Sequence, residues 1–344
     1  MTSRSHATGR VTPLAKVGTL GELAALVPYL MGFVPTESLV CLGLDGRGGK
    51  LGRVGLTARL DLADARHPTG GAELLRSTVA TVARTGARVL VVFVVSEADT
   101  VDDVVIDRLL DAVAHTPMHL ADVGWHRGSR CWSLVCEDPL CCPPEGFVVD
   151  RAFVPAVAAA YAGTAVLPDR AAVEAEFADT GRGEGLDPLI ADHEAALLRA
   201  DLADDGAGSA AAEAAEAVLE LARLHDAHEA DPRGLPPVPD DVVAACLAAL
   251  GHVAVRDQVW LAVDAREVDG GAFWLDLARR APAPYDASPL FLLGWRCWRR
   301  GDGVRAVLAA ERADATPGGY SAARLLLDAV GAGVDPRSVP LLSA

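Results

Sequence analysis

Between positions 126 and 146 the chain reads HRGSRCWSLVCEDPLCCPPEG. This short segment holds Cys131, Cys136, Cys141 and Cys142, the carboxylates Glu137, Asp138 and Glu145, His126 and three prolines. Three kinds of chemistry suit such residues. A structural zinc site needs four converging ligands. Strand alternation sends Cys131 and Cys136 to opposite faces, and the adjacent Cys141 and Cys142 share an ion only across a tight bend, so no metal and no cofactor is expected. A redox pair of Cys136 with Cys141 or Cys142 across the Asp138-Pro139 turn is the second possibility. His126 or Arg130 would lower a thiol pKa there, while Glu137 and Asp138 would raise it. The third, and favoured, reading is a proline-stiffened loop whose thiols pack as small hydrophobes and whose Glu145 caps backbone amides. If the loop does carry chemistry, Cys136, Cys141, Cys142, Glu145 and His126 are the candidates.

Other constellations carry less. His225 and His228 lie three apart on a helical pattern beside Asp226, Glu229 and Asp231, a spacing that lets both imidazoles face one way. A solvated helix end is the favoured reading of them. Neither His193-Glu194 nor His228-Glu229 has the second histidine that a zinc-protease helix requires. GLDGRGGK at 43–50 fails the phosphate-loop spacing and reads as a hairpin turn. GDGVRA at 301–306 follows a helix rather than the strand a dinucleotide fold needs. In PYLMGFVPTES at 28–38, Tyr29 and Phe33 read as core anchors beside Glu37 and Ser38. Ligands of open α/β sheets gather at carboxyl ends of parallel strands, here residues 96–100.

The elements that must position these residues follow from periodicity. After an arm at 1–16, Thr19 and Glu22 have capping-box spacing, and Pro28 is expected to end the helix they begin. Residues 38–44 and 54–62 read as strands joined by a Gly-rich turn at 46–49, and 70–85 as a helix. The run 87–96 has seven consecutive apolar residues from Val89 to Val95, the pattern of a strand buried on both faces. A helix at 102–115 and a hairpin of 120–125 with 131–136 complete an α/β domain with a mixed sheet over 17–150. From 151 to 344 the pattern is all helical. It opens with an uncharged stretch at 152–168, too short to span a bilayer, and is broken by polar, turn-rich segments at 179–188 and 231–240. Near the end, Ser288 is placed to cap a helix starting at Pro289. The spacing of Leu290, Leu293, Gly294, Cys297, Gly301, Ala306, Ala310, Ala313 and Pro317 resembles one tetratricopeptide unit, with small residues where paired helices touch.

The composition limits the function classes. Of 344 residues, 51% are hydrophobic, so the chain can bury a sizeable core. A formal net charge of -16 repels polyphosphate backbones, so nucleic acid is not an expected partner, nor is a membrane. Only Lys16 and Lys50 are lysines, Asn is absent and Gln258 is the sole glutamine, which is the residue usage of a GC-rich genome. Seven cysteines without a leader pattern point to a reduced, cytoplasmic protein.

PYLMGFVPTESLVCLGL near the start and CWSLVCEDPLCCPPEG later together resemble the domain of unknown function family 4192 over the full chain. The resemblance implies an actinobacterial, cytoplasmic protein and brings no assigned reaction, cofactor or site residue. The leading expectation is therefore a non-enzymatic regulatory or scaffolding protein that binds a protein partner through its helical domain. The alternative is an enzyme or small-ligand binder that uses the Cys/Pro loop at 126–146.

Overall fold

The computed structural model describes residues 17–46, 52–150, 166–181, 183, 185–203, 209–228 and 237–342. The arm at 1–16, the stretch 152–168 and the turns at 46–49 and 231–240 lie wholly or largely outside them. The chain divides into two compact units, Met1–Arg170 and Ala171–Ala344.

The first unit holds a mixed six-stranded sheet. β1 (Ser38–Leu44) pairs antiparallel with β2 (Val54–Asp61) on one side and with β3 (Val89–Val95) on the other. β3 runs parallel to β4 (His119–Arg127), and β5 (Arg130–Ser133) and β6 (Phe147–Val148) continue antiparallel beyond it. β3 is thus an inner strand, buried along nearly its whole length, as its unbroken apolar run requires. One face of the sheet, with Leu39, Cys41, Val92 and Val94, meets Leu62 of α2 (Leu62–Arg66), Leu75 and Val79 of α3 (Gly71–Arg84), and Leu109 of α4 (Asp103–Ala114). Each such fully buried aliphatic side chain contributes about 1.5–3 kcal/mol.

α1 (Leu20–Met31) packs against β4, β5 and β6. Gly21 permits this approach, since a Cβ there would stand 2.6 Å from the Val148 carbonyl oxygen. The capping box of Thr19 and Glu22 forms, but Pro28 does not end the helix. The chain stays helical to Met31 and stops at Gly32, whose φ of 75° suits glycine. Val27, Pro28 and Met31 are buried, and that packing outweighs the backbone bond Pro28 cannot make. Phe33 is fully buried and Tyr29 only half so.

Two short elements escape the periodicity argument, α2 and β6, each too brief to show a repeat. The hairpin strand expected at 131–136 ends at Ser133. The compact units divide at 170. The Leu167 amide donates to the Gly32 carbonyl at 2.9 Å and the Val34 amide to the Leu167 carbonyl at 3.0 Å, tying this later segment to the first unit.

The second unit is helical: α5 (Arg170–Ala175), α6 (Leu186–Ala203), α7 (Ser209–His228), α8 (Asp240–Gly251), α9 (Val253–Asp264), α10 (Gly271–Arg280), α11 (Ala287–Arg299), α12 (Gly303–Asp314) and α13 (Ser321–Gly331). Among the described residues no single helix is long and apolar enough to cross a membrane. α11 is buried on nearly every side. Its Trp295 meets Trp260 of α9 edge-on with centroids 4.9 Å apart, an arrangement the ring quadrupoles favour. Ser288 does not cap α11. It lies inside the helix and its hydroxyl donates to the Leu250 carbonyl at 2.9 Å, while Asp286 precedes the first turn.

One buried ionic knot ties α9, α11 and the C-terminal segment together. The Asp264 carboxylate accepts from Arg299 Nε, from Trp295 Nε1 at 2.8 Å and from the Leu342 amide at 2.7 Å. The Arg299 guanidinium donates onward to the carbonyls of Pro336, Val339 and Pro340 and lies over the Trp295 and Trp298 rings.

Candidate functional site

The thiol loop begins where Ser133 turns the chain out of β5. Its hydroxyl donates to Asp122 on neighbouring β4 at 2.6 Å and accepts from the amides of Val135 at 3.2 Å and Cys136 at 2.9 Å. Asp138 makes the next bend: its carboxylate accepts the Leu140 amide at 2.9 Å, and its carbonyl accepts the amides of Cys141 at 3.1 Å and Cys142 at 2.7 Å. Pro139 supplies the fixed φ such a turn favours. The return limb is tied to β5. Trp132 Nε1 donates to the Pro144 carbonyl at 3.1 Å, and Arg130 donates to the carbonyls of Glu145 and Gly146. Gly146 has φ 76° and lies against the Trp132 ring, where a Cβ would come within 2.7 Å.

These bonds draw the sulfurs of Cys136, Cys141 and Cys142 to within 4.8 Å of one another. The tight bend that adjacent cysteines need is therefore built, by Asp138 and Pro139. Cys136 and Cys142 are half-buried and Cys141 is exposed. Neighbouring Leu140 is 96% exposed, so the tip of the turn stands in solvent. The Cys142 thiol is pushed up to about 12 by desolvation and by hydrogen bonding and charge interaction with the Cys136 and Cys141 sulfurs. Small-hydrophobe packing describes Cys131, which is buried in the sheet with its thiol pushed up to about 12 by desolvation and by Asp122. It does not describe exposed Cys141.

The other two candidates stand apart from the trio. His126 is buried on β4 and pairs in register with Cys131 on β5. Glu145 is exposed, and it is its backbone carbonyl that Arg130 holds.

A second polar group lies at the carboxyl end of β3, which the sequence pointed to as a ligand position. The Glu37 carboxylate accepts from the Ser96 hydroxyl at 2.9 and 3.1 Å and from the Glu97 amide at 3.1 Å. Its carbonyl accepts the Leu62 amide at 2.9 Å. Arg59 Nε donates to Ser38 at 2.8 Å, and its guanidinium pairs with Asp61. Sequence reasoning missed the Glu37 link, because it depends on β1 running antiparallel to β3 so that Ser38 lies opposite Val95. These groups bond to one another and act as a lock. Glu37 pays with a φ of 40°, uncommon for a residue other than glycine.

The histidine pair resolves differently. His225 lies against the Phe273 ring, with centroids 5.0 Å apart, and Asp226 accepts the amides of Asp269 and Gly270, just ahead of α10. The His228 side chain, Glu229 and Asp231 lie outside the described residues. Among those residues the three thiols are the group spaced to hold a metal ion.

Compared with known proteins, the chain matches the family model described as Domain of unknown function (DUF4192) over residues 21–337. The chain belongs to that family. No curated protein and no solved structure matches it.

Proposed function

We propose that this DUF4192 protein is a regulatory protein whose loop at 126–146 binds a small thiophilic ligand through Cys136, Cys141 and Cys142. The observation that carries the reading is the convergence of three thiols within 4.8 Å on a loop open to solvent yet held by its own backbone bonds. Once one sulfur binds a soft acceptor, the other two are present at high effective concentration, so chelation multiplies a weak affinity. The reading carries with it a cytoplasmic, reducing compartment, where neighbouring thiols stay available.

Arsenite tests it. Arsenic(III) bearing three hydroxyls reacts with three thiols: three As–O and three S–H bonds break, three As–S bonds form, each thiol proton leaves with a hydroxyl as water, and no atom changes oxidation state. The reduced full-length protein is expected to retain one arsenic per chain and to lose the reactivity of these three cysteines together. Retention of no arsenic, or protection of fewer than three, would overturn the reading.

A second reading places a protein partner on the helical unit, with tetratricopeptide-like pairing of α11 and α12. It is favoured by the small residues between those helices: a Cβ on Gly294 would stand 3.2 Å from the Ala306 carbonyl and 3.3 Å from Ala309 Cβ. Leu198 and Leu202, one turn apart on α6 and both exposed, offer apolar contact. A partner captured by the wild type and equally by a Leu198→Asp/Leu202→Asp variant would remove α6 as the docking face.

A further inference from the structure

We infer that Cys136, Cys141 and Cys142 form a tri-thiolate site for a zinc ion whose fourth position is open to an exogenous ligand. This rests on the thiol loop being the ligand site.

Four observations support it. Tetrahedral zinc with Zn–S bonds of about 2.3 Å holds its sulfurs roughly 3.8 Å apart, so sulfurs already within 4.8 Å need only small movements to close on an ion. The backbone that presents them is fixed before any ion arrives, by Ser133 under Cys136 and by Asp138 under Cys141 and Cys142. Such support is what orients ligands in metal sites. The local charge favours a cation over a free thiolate: Glu137, Asp138 and Glu145 are all on this loop, and the hydrogen bonds of Arg130 go to backbone carbonyls. Finally, among the described residues no fourth side chain joins the group, since Cys131 is buried in the sheet and His126 beside it. Three protein ligands with one open place distinguish an exchangeable or reactive zinc from a closed structural one. On binding, the three thiols release their protons to solvent, and the dication with three thiolates carries one net negative charge.

The test loads reduced full-length protein with zinc, and in parallel with cobalt(II), and then dialyses away the excess. One zinc per chain is expected, with thiolate-to-cobalt charge-transfer absorption and tetrahedral ligand-field bands that zinc bleaches. In the wild type, bound zinc should protect these three cysteines from alkylation as mapped by mass spectrometry, a readout that needs no variant. Cys136→Ser, Cys141→Ser and Cys142→Ser should each weaken binding by more than the roughly 10–100-fold that losing a supporting residue costs. If arsenite is captured but zinc and cobalt are not retained, the zinc inference falls and the thiol-ligand reading stands. If arsenite is not captured either, both fall. Zinc retained without protection of the trio would place the ion elsewhere and overturn the assignment.

Discussion

The thiol loop, built within one short segment, and the Asp264–Arg299 knot, built from distant positions, are both clusters of polar side chains, yet they are finished differently. In the knot every partner is internal. The Asp264 side chain is fully buried, and Arg299 spends its donors on that carboxylate and on three carbonyls. In the loop the backbone is satisfied while the sulfurs are left facing one another near solvent. A closed set of partners holds a fold together, whereas an ordered frame around open ligand atoms can accept something from outside.

The comparison breaks first at the knot. Asp264→Ala should leave Arg299 buried without its counter-charge and lower stability by about 3–5 kcal/mol, read as a shift of the urea midpoint. A loss below about 1 kcal/mol would mean that the knot is not closed. Ser133→Ala comes next. It removes an acceptor for two amides and a donor to Asp122, costing about 1–3 kcal/mol, and it should weaken arsenite capture although no sulfur is touched. Unchanged capture would show that the trio does not depend on its frame.

A smaller effect is expected with acid. Burial pushes the Asp269 carboxyl up, but the hydrogen bond and charge of Arg296 and the charge of Arg300 outweigh it and hold the group below the usual carboxylate range. Since its folded value lies below the unfolded value of about 3.9, its contribution is complete above that value and is lost as pH falls toward the folded one. Asp269→Asn should flatten that acid limb of a stability-against-pH curve. A limb of unchanged slope would assign it to other carboxylates. Smallest of all, Cys141→Ser should leave stability within about 0.5 kcal/mol, as an exposed position does. In native protein exposed Cys141 and half-buried Cys136 should react with a thiol reagent well before Cys41, Cys131, Cys246 and Cys297, which are buried.

What the sequence disclosed follows the range of the interactions. β3 was legible because seven apolar residues in a row leave few other places for a strand, and the Thr19–Glu22 cap because both halves lie within one turn. The helix through Pro28 was not, since burial of its neighbours is a property of the packed chain. The loop gave its residue types but not its geometry. Alternation ends with β5 at Ser133, three residues short of Cys136, and the bend at Asp138 that brings adjacent cysteines together depends on a side-chain bond to Leu140 and two bonds to one carbonyl. The Glu37–Ser96 link joins residues far apart in sequence and became visible only with the strand order.

The Leu342 amide has a further consequence. A backbone N–H outside any helix or strand would ordinarily trade its hydrogen for deuterium almost at once, yet this one is bound to a buried carboxylate that also holds Arg299 and Trp295. Its exchange is therefore coupled to opening of the knot, and the Leu342 amide becomes a single-site clock for the rate at which α9 and α11 part.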